Sequence, residues 1–470
     1  MKNLLFLILF FLTAQTECFA LEIVYPKKSP SIINAPSSFF IGSTKSAEVL
    51  KINGLEVKIH ENGAFAQLVP LSIGKNEFQI TSGAEILNFT IERPQPQPST
   101  KSYTAPILIE YPPMGNFWVK TDGVPLRTTP IDSGINRMSH LPKGMPLTIK
   151  GEKQGFYRVF LNATTFGWID KSNVENIGNI EELQSGPVAL KRAKCRMTRE
   201  FYIYEFDFEQ KVPFAIREES GLVQGFKSGL TLDFFNVKSR EDNTLTMNIP
   251  IQKLMGYEGV FQDNKYILKV RRPVIIDCNK PLKNIKIVVD AGHGGNEVGA
   301  IGCCGDMEKD INLEIAKQLQ TELDKRGAKV VMTREQDVDV SLSDRVKFAK
   351  DSGADLLLSI HANALPDGAD PNKNRGTSVY YYHNQAKPLA DSILNSMTTQ
   401  LCTQNDKVRQ GSLALVRPTS SVSVLIEVAY MINPDDYALL TDKCFQVNCA
   451  KAIADGVEEY ILNISPYSSK

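Results

Sequence analysis

The stretch from Ile287 to Gly295 joins an apolar, β-branched segment to an acid, a histidine and three glycines, in the order IVVDAGHGG. The β-branched residues predict a buried strand, and the glycines allow the backbone to turn sharply at its end. We therefore expect His293 to project from the carboxyl end of a strand, which is where open α/β sheets bind ligands. A lone histidine on a turn more often has no function, so this prediction depends on further ligands.

Two further residues of metal-ligating type occupy equivalent positions. Glu308 begins a segment in which apolar residues recur every four positions, so it lies in the first turn of a predicted helix that ends near Gly327. His361 directly follows another predicted strand, from Leu356 to Ile360. Two histidines and a carboxylate at one rim of a sheet suit zinc, and three protein ligands leave a fourth position for water. The pattern predicts a catalytic zinc site at His293, Glu308 and His361.

A fourth candidate is a carboxylate late in the chain. Val422 to Ile426 predict a further apolar strand, and Glu427 follows it directly. Beside an open zinc position, a carboxylate can take a proton from the attacking water and return it to the departing group. Taken alone, Glu427 could equally be a solvated strand end.

The segments that carry these residues alternate between strand and helix patterns. Val330 and Val331 predict a strand, and Ser341 with Asp344 forms a capping-box pattern ahead of a helix that carries Ala349. Such alternation favours an α/β fold in which the strand ends meet at one edge of the sheet.

In this order, the residues resemble the zinc-dependent N-acetylmuramoyl-L-alanine amidases of bacteria (the amidase_3 family), over about Asn284 to Leu462. The motifs that carry the resemblance are Asp290 to Gly295, Glu308-Lys309, Thr333-Arg334 with Asp337, Leu342 and Arg345, Ser359 to Asn363, and Glu427. The resemblance implies a mixed sheet of about six strands flanked by helices. It also implies one Zn²⁺ ion bound by His293, Glu308 and His361, with Glu427 as the catalytic residue.

The implied reaction is hydrolysis of the peptidoglycan amide bond between N-acetylmuramic acid and the L-alanine of the stem peptide. Zinc-activated water would attack, with Glu427 as general base and then general acid. Arg409 lies in a segment that resembles a family basic position and is a candidate substrate contact. The residues around Glu427, Ser421-Val422-Ser423 and Val428-Ala429-Tyr430, depart from the family pattern. This departure bears on the substrate groove and not on the reaction class.

Two other classes of function stay open. The same zinc site would serve a peptidase that cuts within the stem peptide, or the domain could be an inactive part of a wall-binding adaptor. A cell-wall or division-site activator is a further candidate partner. Lysine plus arginine and aspartate plus glutamate number 53 each, so no net charge favours nucleic acid or an anionic membrane as a partner.

The amino-terminal residues 1–20 predict a secretory signal peptide, with an early lysine, an apolar run from Leu4 to Leu12 and cleavage after Ala20. No later stretch predicts a membrane span. We therefore expect an exported protein, located in the periplasm or at the cell wall or outside the cell, with no span after cleavage.

Three small all-β modules are predicted to precede the catalytic domain, which occupies residues 284–463. Residues 21–92 alternate apolar and polar side chains around Asn53-Gly54 and Asn62-Gly63 turns, and they resemble an immunoglobulin-like β-sandwich. Residues 93–115 form a proline-alternating linker.

The second and third modules are also assigned by resemblance. Residues 116–176 resemble the bacterial SH3-like domain, a fold that commonly binds cell-wall peptide, and Phe117, Tyr157 and Trp168 are candidates for either a groove or the core. Residues 190–275 resemble the amidase N-terminal (AMIN) domain, and the basic run Lys191 to Arg199 before its first predicted strand is interpreted as a solvated linker.

The eight cysteines leave the disulfide pattern open. Cys195 with Cys278, and Cys402 with Cys444 or Cys449, are candidate pairs. Cys303 and Cys304 are expected to be unpaired or mutually oxidised, since no further ligand pattern supports a second metal site there.

Overall fold

A computed structural model describes residues 20–96, 107–176, 186–223, 226–239, 242–401 and 403–465. The predicted signal peptide up to residue 19, part of the predicted linker, and Cys402 lie outside the described residues. Within these ranges, no helix is both long enough and apolar enough to cross a lipid bilayer.

The first unit packs two β-sheets face to face. Its strands are β1 (Glu22–Tyr25), β2 (Ser31–Ile32), β3 (Ser37–Ser43), β4 (Leu50–Ile52), β5 (Leu55–Val57), β6 (Ala64–Pro70), β7 (Gly74–Ser82) and β8 (Glu85–Arg93). One sheet has the order β1-β3-β6, and the other has the order β2-β8-β7-β4-β5. Asn53 and Gly54 both have positive φ angles, which are typical of the tight turn predicted between β4 and β5. Phe40, Phe65 and Ile80 belong to the core of this unit.

The second unit is a single curved sheet of the order β11-β10-β14-β13-β12-β9-β15. Its strands are β9 (Ile109–Val119), β10 (Val124–Arg127), β11 (Arg137–Leu141), β12 (Pro146–Lys153), β13 (Phe156–Phe160), β14 (Phe166–Asp170) and β15 (Val174–Asn176). β9 begins at Ile109, earlier than the start predicted at residue 116, because its first residues pair with the far end of β12. Phe117 is buried in the core, whereas Tyr157 and Trp168 are half-buried.

The third unit has two sheets, β16-β17-β22-β21 and β18-β19-β20. Its strands are β16 (Leu190–Met197), β17 (Phe201–Phe208), β18 (Phe214–Val223), β19 (Phe226–Phe235), β20 (Thr244–Ile251), β21 (Tyr257–Gln262) and β22 (Lys265–Arg271). The interpretation of the basic run as a linker was wrong, because Leu190 to Met197 form a strand that pairs with β17, with one irregularity between Leu190 and Arg192. β16 is an edge strand with exposed side chains on both faces, and its lysines and arginines discourage pairing with another chain.

The second and third units share one hydrophobic core. Leu147 and Val159 from the second unit belong to the same buried cluster as Phe206, Phe234 and Leu268 from the third. The predicted modules are therefore joined by a buried apolar interface.

The fourth unit is an α/β domain with a mixed sheet of six strands, as predicted. Its elements are β23 (Lys286–Ala291), α1 (Glu308–Lys325), β24 (Lys329–Met332), α2 (Leu342–Asp351), β25 (Leu356–Asn363), β26 (Thr377–Tyr381), α3 (Lys387–Leu401), β27 (Asn405–Gln410), β28 (Val422–Tyr430), α4 (Pro434–Thr441) and α5 (Lys443–Ile464). The strand order is β24-β23-β25-β28-β26-β27. β24, β23, β25 and β28 are parallel, and β26 runs antiparallel to β28.

Alternate residues of the central strands enter different cores. Ile287 and Leu356 belong to the cluster that contains residues of α1, α3 and α5, whereas Val288 and Leu357 pack with Ala349 of α2. Strands that are buried on both faces read as continuous apolar runs, which is why their sequences show no alternation.

The third unit packs against the end of the sheet at which the parallel strands begin. Arg271 at the end of β22 forms a buried ion pair with Asp355, whose other oxygen accepts the backbone N–H of Lys286. The carboxylate of Glu218 on β18 accepts the backbone N–H of Gln385 at 2.9 Å. The opposite end of the sheet, at the carboxyl ends of β23, β25 and β28, carries the predicted site residues.

Candidate metal centre

The turn that carries His293 is held by two buried arginines. His293 has a φ angle of 60°, in the left-handed region, and it follows the end of β23 at Ala291. Arg345 donates to the carbonyl oxygens of Ala291 at 2.6 Å and His293 at 2.7 Å. Arg334 donates to the carbonyls of Ala291 and Gly292, both at 2.9 Å. These hydrogen bonds fix the direction in which the His293 ring projects.

Asp290 anchors the same arginine from below. Its buried carboxylate accepts Arg345 Nη1 at 2.7 Å and the hydroxyls of Thr333 and Ser359, both at 2.6 Å. Burial alone would raise the pKa of Asp290, but the charge of Arg345 and the hydrogen bonds together lower it. Asp290 is therefore an anion that supports the turn through Arg345.

Glu308 lies at the first position of α1, with its carboxylate held by the protein on both oxygens. Oε2 accepts the backbone N–H of Ala300 at 2.9 Å. Oε1 accepts the backbone N–H of Ala362 at 3.1 Å and the side-chain amide of Asn312 at 3.0 Å. Donors from three segments therefore aim this carboxylate.

The structure brings His293, Glu308 and His361 together. His293 Nε2 lies 3.2 Å from Glu308 Oε2, and His361 Nδ1 lies 3.1 Å from Glu308 Oε1. One ligand atom from each residue lies within 4.8 Å of those of the other two. Burial would raise the pKa of Glu308, but the hydrogen bonds and charges of the two histidines lower it well below its usual range. The group is therefore a buried carboxylate between two imidazoles.

Two glycines leave room for this group. A Cβ atom at Gly292 would lie 2.3 Å from the ring of His361. A Cβ atom at Gly299, which has a φ angle of +71°, would lie 2.4 Å from Glu308 Oε2 and 2.8 Å from the ring of His293. Ligands in a tetrahedral zinc site, at 2.0–2.1 Å from the ion, lie roughly 3.4 Å from one another. The spacing, the nitrogen and oxygen donors and the glycine cradle therefore fit a metal ion.

Glu427 lies beside the ligand group, within β28 and not after it. It pairs with His361 of β25 on one side and with Ser378 of β26 on the other. β25 and β28 continue past their predicted ends because Asn363 still pairs with Tyr430. Burial raises the pKa of Glu427 to about 7, partly offset by the charge of His361. Oε2 of Glu427 is buried and has no hydrogen-bond partner among the described residues, so it is free to meet a ligand.

Arg409 lies on β27, at the side of the sheet beyond Glu427. Its Nη2 donates to Asp406 Oδ1, and the hydroxyl of Tyr430 donates to the other oxygen of Asp406 at 2.8 Å. Tyr380 on β26 pairs with Arg409, and the charges of Arg409 and Glu427 both act on its hydroxyl. The Arg409 side chain is 40% exposed, so it has one face available for a ligand.

The α/β domain is similar in sequence to known amidases. Residues 287–459 match the model of the Amidase_3 family, described as N-acetylmuramoyl-L-alanine amidase. The chain is 36% identical over 195 residues to the N-acetylmuramoyl-L-alanine amidase LytC of Bacillus subtilis, a match that covers 41% of this chain and 38% of LytC. It is also 36% identical over 182 residues to the probable cell wall amidase LytH of Staphylococcus aureus, which covers 38% of this chain and 60% of LytH. The matches thus span less than two thirds of either relative.

A solved structure is similar over the same part of the chain. The N-acetylmuramoyl-L-alanine amidase AmiC2 of Nostoc punctiforme has 34% sequence identity, with 37% of this chain and 96% of that chain covered and a TM-score of 0.36. We refer to the carboxyl-terminal unit as the Amidase_3 domain, after the family model that its residues 287–459 match.

Several residues that support the candidate site of the Amidase_3 domain were not predicted to have a role of their own. Asp290, Arg334 and Arg345 were known only as members of motifs, and Asn312 was not singled out at all. A signal was available, because a charged residue within an otherwise apolar strand, such as Asp290 in IVVDA, must find buried partners.

The cysteines of the Amidase_3 domain add no second metal site among the described residues, where His293, Glu308 and His361 form the one group of this kind. Cys303 is buried, and its thiol contacts the carbonyl oxygen of Ile432 at 3.9 Å. Of the candidate disulfides, Cys195 and Cys278 are both exposed free thiols, and Cys444 and Cys449 are free as well.

Proposed function

We propose that this protein is a zinc-dependent N-acetylmuramoyl-L-alanine amidase that hydrolyses peptidoglycan between N-acetylmuramic acid and the L-alanine of the stem peptide. The observation that carries the proposal is the placement of Glu427 beside the His293, Glu308 and His361 group at the carboxyl edge of an Amidase_3 sheet. Two imidazoles and a carboxylate are the ligand set of catalytic zinc sites, which keep a fourth position open.

The chemistry is divided between the ion and Glu427. A zinc ion held by the three ligands would supply Lewis-acid polarisation of the scissile carbonyl. Glu427 accepts a proton from the attacking water and then donates it to the amine nitrogen of L-alanine as the carbon–nitrogen bond breaks. A carboxylate with a pKa of about 7 is suited to both halves of this transfer, because it exchanges a proton readily near neutral pH.

Arg409 is the proposed contact to the substrate beyond the scissile bond. Asp406, which also accepts the Tyr430 hydroxyl, holds the Arg409 guanidinium from one side, and the buried Nε of Arg409 has no partner among the described residues. A guanidinium presents several donors in a planar fork, which suits a carbonyl or carboxylate of the stem peptide.

The amino-terminal units are proposed to place this activity on the wall. We retain the immunoglobulin-like, SH3-like and AMIN-like assignments, the export of the chain by its signal peptide, and a cell-wall or division-site activator as parts of the proposal. The shared core of the second and third units supports a joint role for them, because two units with one core cannot move independently.

The test compares the wild type with Glu427→Gln on purified peptidoglycan, with and without a zinc chelator. The wild type should release free L-alanine amino termini, detected by mass spectrometry, and chelation should abolish the release. Glu427→Gln should lower the rate by about 10²–10⁴-fold, the range of general acid–base catalysis.

Glu459→Gln is the matched control, because Glu459 is an exposed glutamate of the same domain, and it should keep wild-type activity. New ends within the stem peptide would identify a peptidase instead. Wall binding without release by any of the variants would identify an inactive adaptor.

A further inference from the structure

The first unit contacts the loop that leaves the candidate metal centre. This loop, residues 364–376, joins the end of β25, just after His361, to the start of β26, and we call it the site loop. The hydroxyl of Tyr25 donates to Asp367 Oδ2 at 2.8 Å, and the hydroxyl of Ser38 donates to Asp367 Oδ1 at 2.6 Å. The side-chain amide of Asn372 donates to the carbonyl of Ala66 at 2.9 Å. Three strands of one sheet, β1, β3 and β6, thus bind the loop.

An apolar cluster continues the same interface. Phe39, Ile41, Ala64 and Ala66 of the first unit pack with Cys303, Ile432 and Tyr437 of the Amidase_3 domain. Cys303 lies in the segment that precedes Glu308, and Ile432 follows Glu427 closely in sequence. The site loop and the segments that carry Cys303 and Ile432 thus connect this sheet to parts of the chain near the predicted ligands and Glu427.

The Amidase_3 domain braces the site loop from its other side. Asn433 donates to the carbonyl of Pro371 at 2.8 Å, and Arg375 pairs with Asp435 at 2.7 Å and with Asp436 at 3.1 Å. His60 of the first unit lies 2.8 Å from the same Asp435. The site loop is therefore held between the first unit and the start of α4.

The donors to Asp367 stay neutral. Burial and the neighbouring Asp367 carboxylate raise the pKa of Tyr25 to about 12, so its hydroxyl keeps its proton at ordinary pH. Ser38 is fully buried at the interface. Hydrogen bonds from neutral hydroxyls to a carboxylate are short and directional, so they fix the position of the Asp367 side chain and of the loop that carries it.

We infer that the first unit is a positioning element of the catalytic cleft, in which Tyr25 and Ser38 act through Asp367 to fix the site loop as one wall of the substrate groove. This inference rests on the proposed function. A unit that served only as a spacer would need no polar contact with a loop beside the proposed metal ligands. Tyr25, Ser38 and Asp367 are positioning residues and do not touch the reacting atoms.

The experiment is a double-mutant cycle in the full chain. The variants are Tyr25→Phe with Ser38→Ala, Asp367→Ala, and all three substitutions together. A soluble muropeptide mixture made from purified peptidoglycan is the substrate, and kcat, KM, zinc content and thermal unfolding are measured. Tyr204→Phe with Ser31→Ala is the control, since it removes one tyrosine hydroxyl and one serine hydroxyl that do not bind the site loop.

We expect kcat/KM to fall about tenfold or more in the first two variants, because small displacements of positioning groups lower rates strongly. The triple variant should be no worse than Asp367→Ala, because the hydroxyls act only through that carboxylate. Zinc content should stay at the wild-type value in every variant, and the control should keep wild-type kcat/KM.

Wild-type kcat/KM in the Tyr25→Phe, Ser38→Ala variant would overturn the inference, and so would loss of zinc or an additive triple variant. If the two-hydroxyl variant does not fold, Asp367→Ala decides alone, because it changes only a half-buried loop residue. A wild type without activity on muropeptides would instead refute the proposed function, so the two failures are distinguishable.

Discussion

The carboxylate of Glu308 accepts three hydrogen bonds in addition to its contacts with two imidazoles. Two of the donors are backbone amides, of Ala300 and Ala362, and the third is the side chain of Asn312. Such outer contacts orient a metal ligand before the ion arrives, so the ion need not order the ligand itself. Asn312 is the one of these donors that a substitution can remove without changing the backbone.

Asn312→Ala should lower the affinity for zinc by about 10–100-fold, the usual effect of losing such a contact. The measurement is a competition titration of the metal-free protein against a zinc chelator. Asn395→Ala, an exposed asparagine in α3, is the matched control and should bind zinc like the wild type. Equal affinities in the two variants would show that Asn312 does not orient Glu308.

At the scale of elements, the segment between β23 and α1 connects two of the three proposed ligands, His293 and Glu308, and its glycines have distinct roles. Gly299 and Gly305 both have positive φ angles, of +71° and +91°. A Cβ atom at Gly299 would meet Glu308 and His293, whereas a Cβ atom at Gly305 would meet nothing within 4 Å. A substitution at Gly305 therefore tests backbone strain alone, whereas a substitution at Gly299 adds steric overlap with the site.

Gly299→Ala and Gly305→Ala should each cost about 1–2 kcal/mol of stability, because alanine is strained at positive φ. Only Gly299→Ala should also lose zinc affinity, by at least about tenfold, since the added methyl group displaces a ligand by steric overlap. Thermal unfolding measures the first effect and the zinc titration the second. Similar zinc affinities for both variants would contradict the cradle described above.

Local patterns predicted the elements that carry the proposed ligands. The glycines around His293 predicted its turn, the four-residue repeat placed Glu308 at the start of α1, and Ser341 caps α2 as its capping-box pattern predicted. Strand ends were predicted less well. His361 and Glu427 lie within strands because Asn363 pairs with Tyr430, and such pairing depends on residues far apart in sequence.

Contacts between units could not be predicted from local pattern at all. The basic run of β16 looks like a linker because its side chains are exposed on both faces, so that its sequence has no apolar alternation, and only its pairing with β17 identifies the strand. Neither Tyr25 nor Asp367 carries a signal that it meets the other, since both are ordinary polar residues of a strand and a loop.

At the scale of the whole molecule, the third unit docks through a buried carboxyl group. Burial raises the pKa of Glu218 to about 7, although Gln385, Tyr257 and the N–H of Asn384 donate hydrogen bonds to it. His383 lies 3.5 Å away, and burial lowers its pKa to about 4. Between pH 4.5 and about 7, the folded protein therefore keeps a proton on Glu218 that the unfolded chain has already released.

Because the folded state binds the extra proton, the contribution of Glu218 to stability is largest at low pH and is lost as pH rises through this window. Glu218→Gln should remove this dependence and gain stability relative to the wild type from about pH 5 to pH 8, by at most about 3 kcal/mol. His383 is present in both proteins, so the difference isolates Glu218. Thermal unfolding across this range is the measurement.

Glu219→Gln is the control, because the Glu219 side chain is 38% exposed and should follow the wild type at every pH. Parallel pH curves for Glu218→Gln and the wild type would show that Glu218 does not titrate at the interface.

The contacts of Asp367 with Ser38 and Tyr25 join residues 329 and 342 positions apart in the chain. A chain is synthesised from its amino terminus, so the first unit is complete long before its partner loop exists. Contacts over such separations form late, because they close very long loops. The groove would thus reach its final shape last of all, and a chain interrupted before the site loop would hold a folded first unit with no hydrolytic centre beside it.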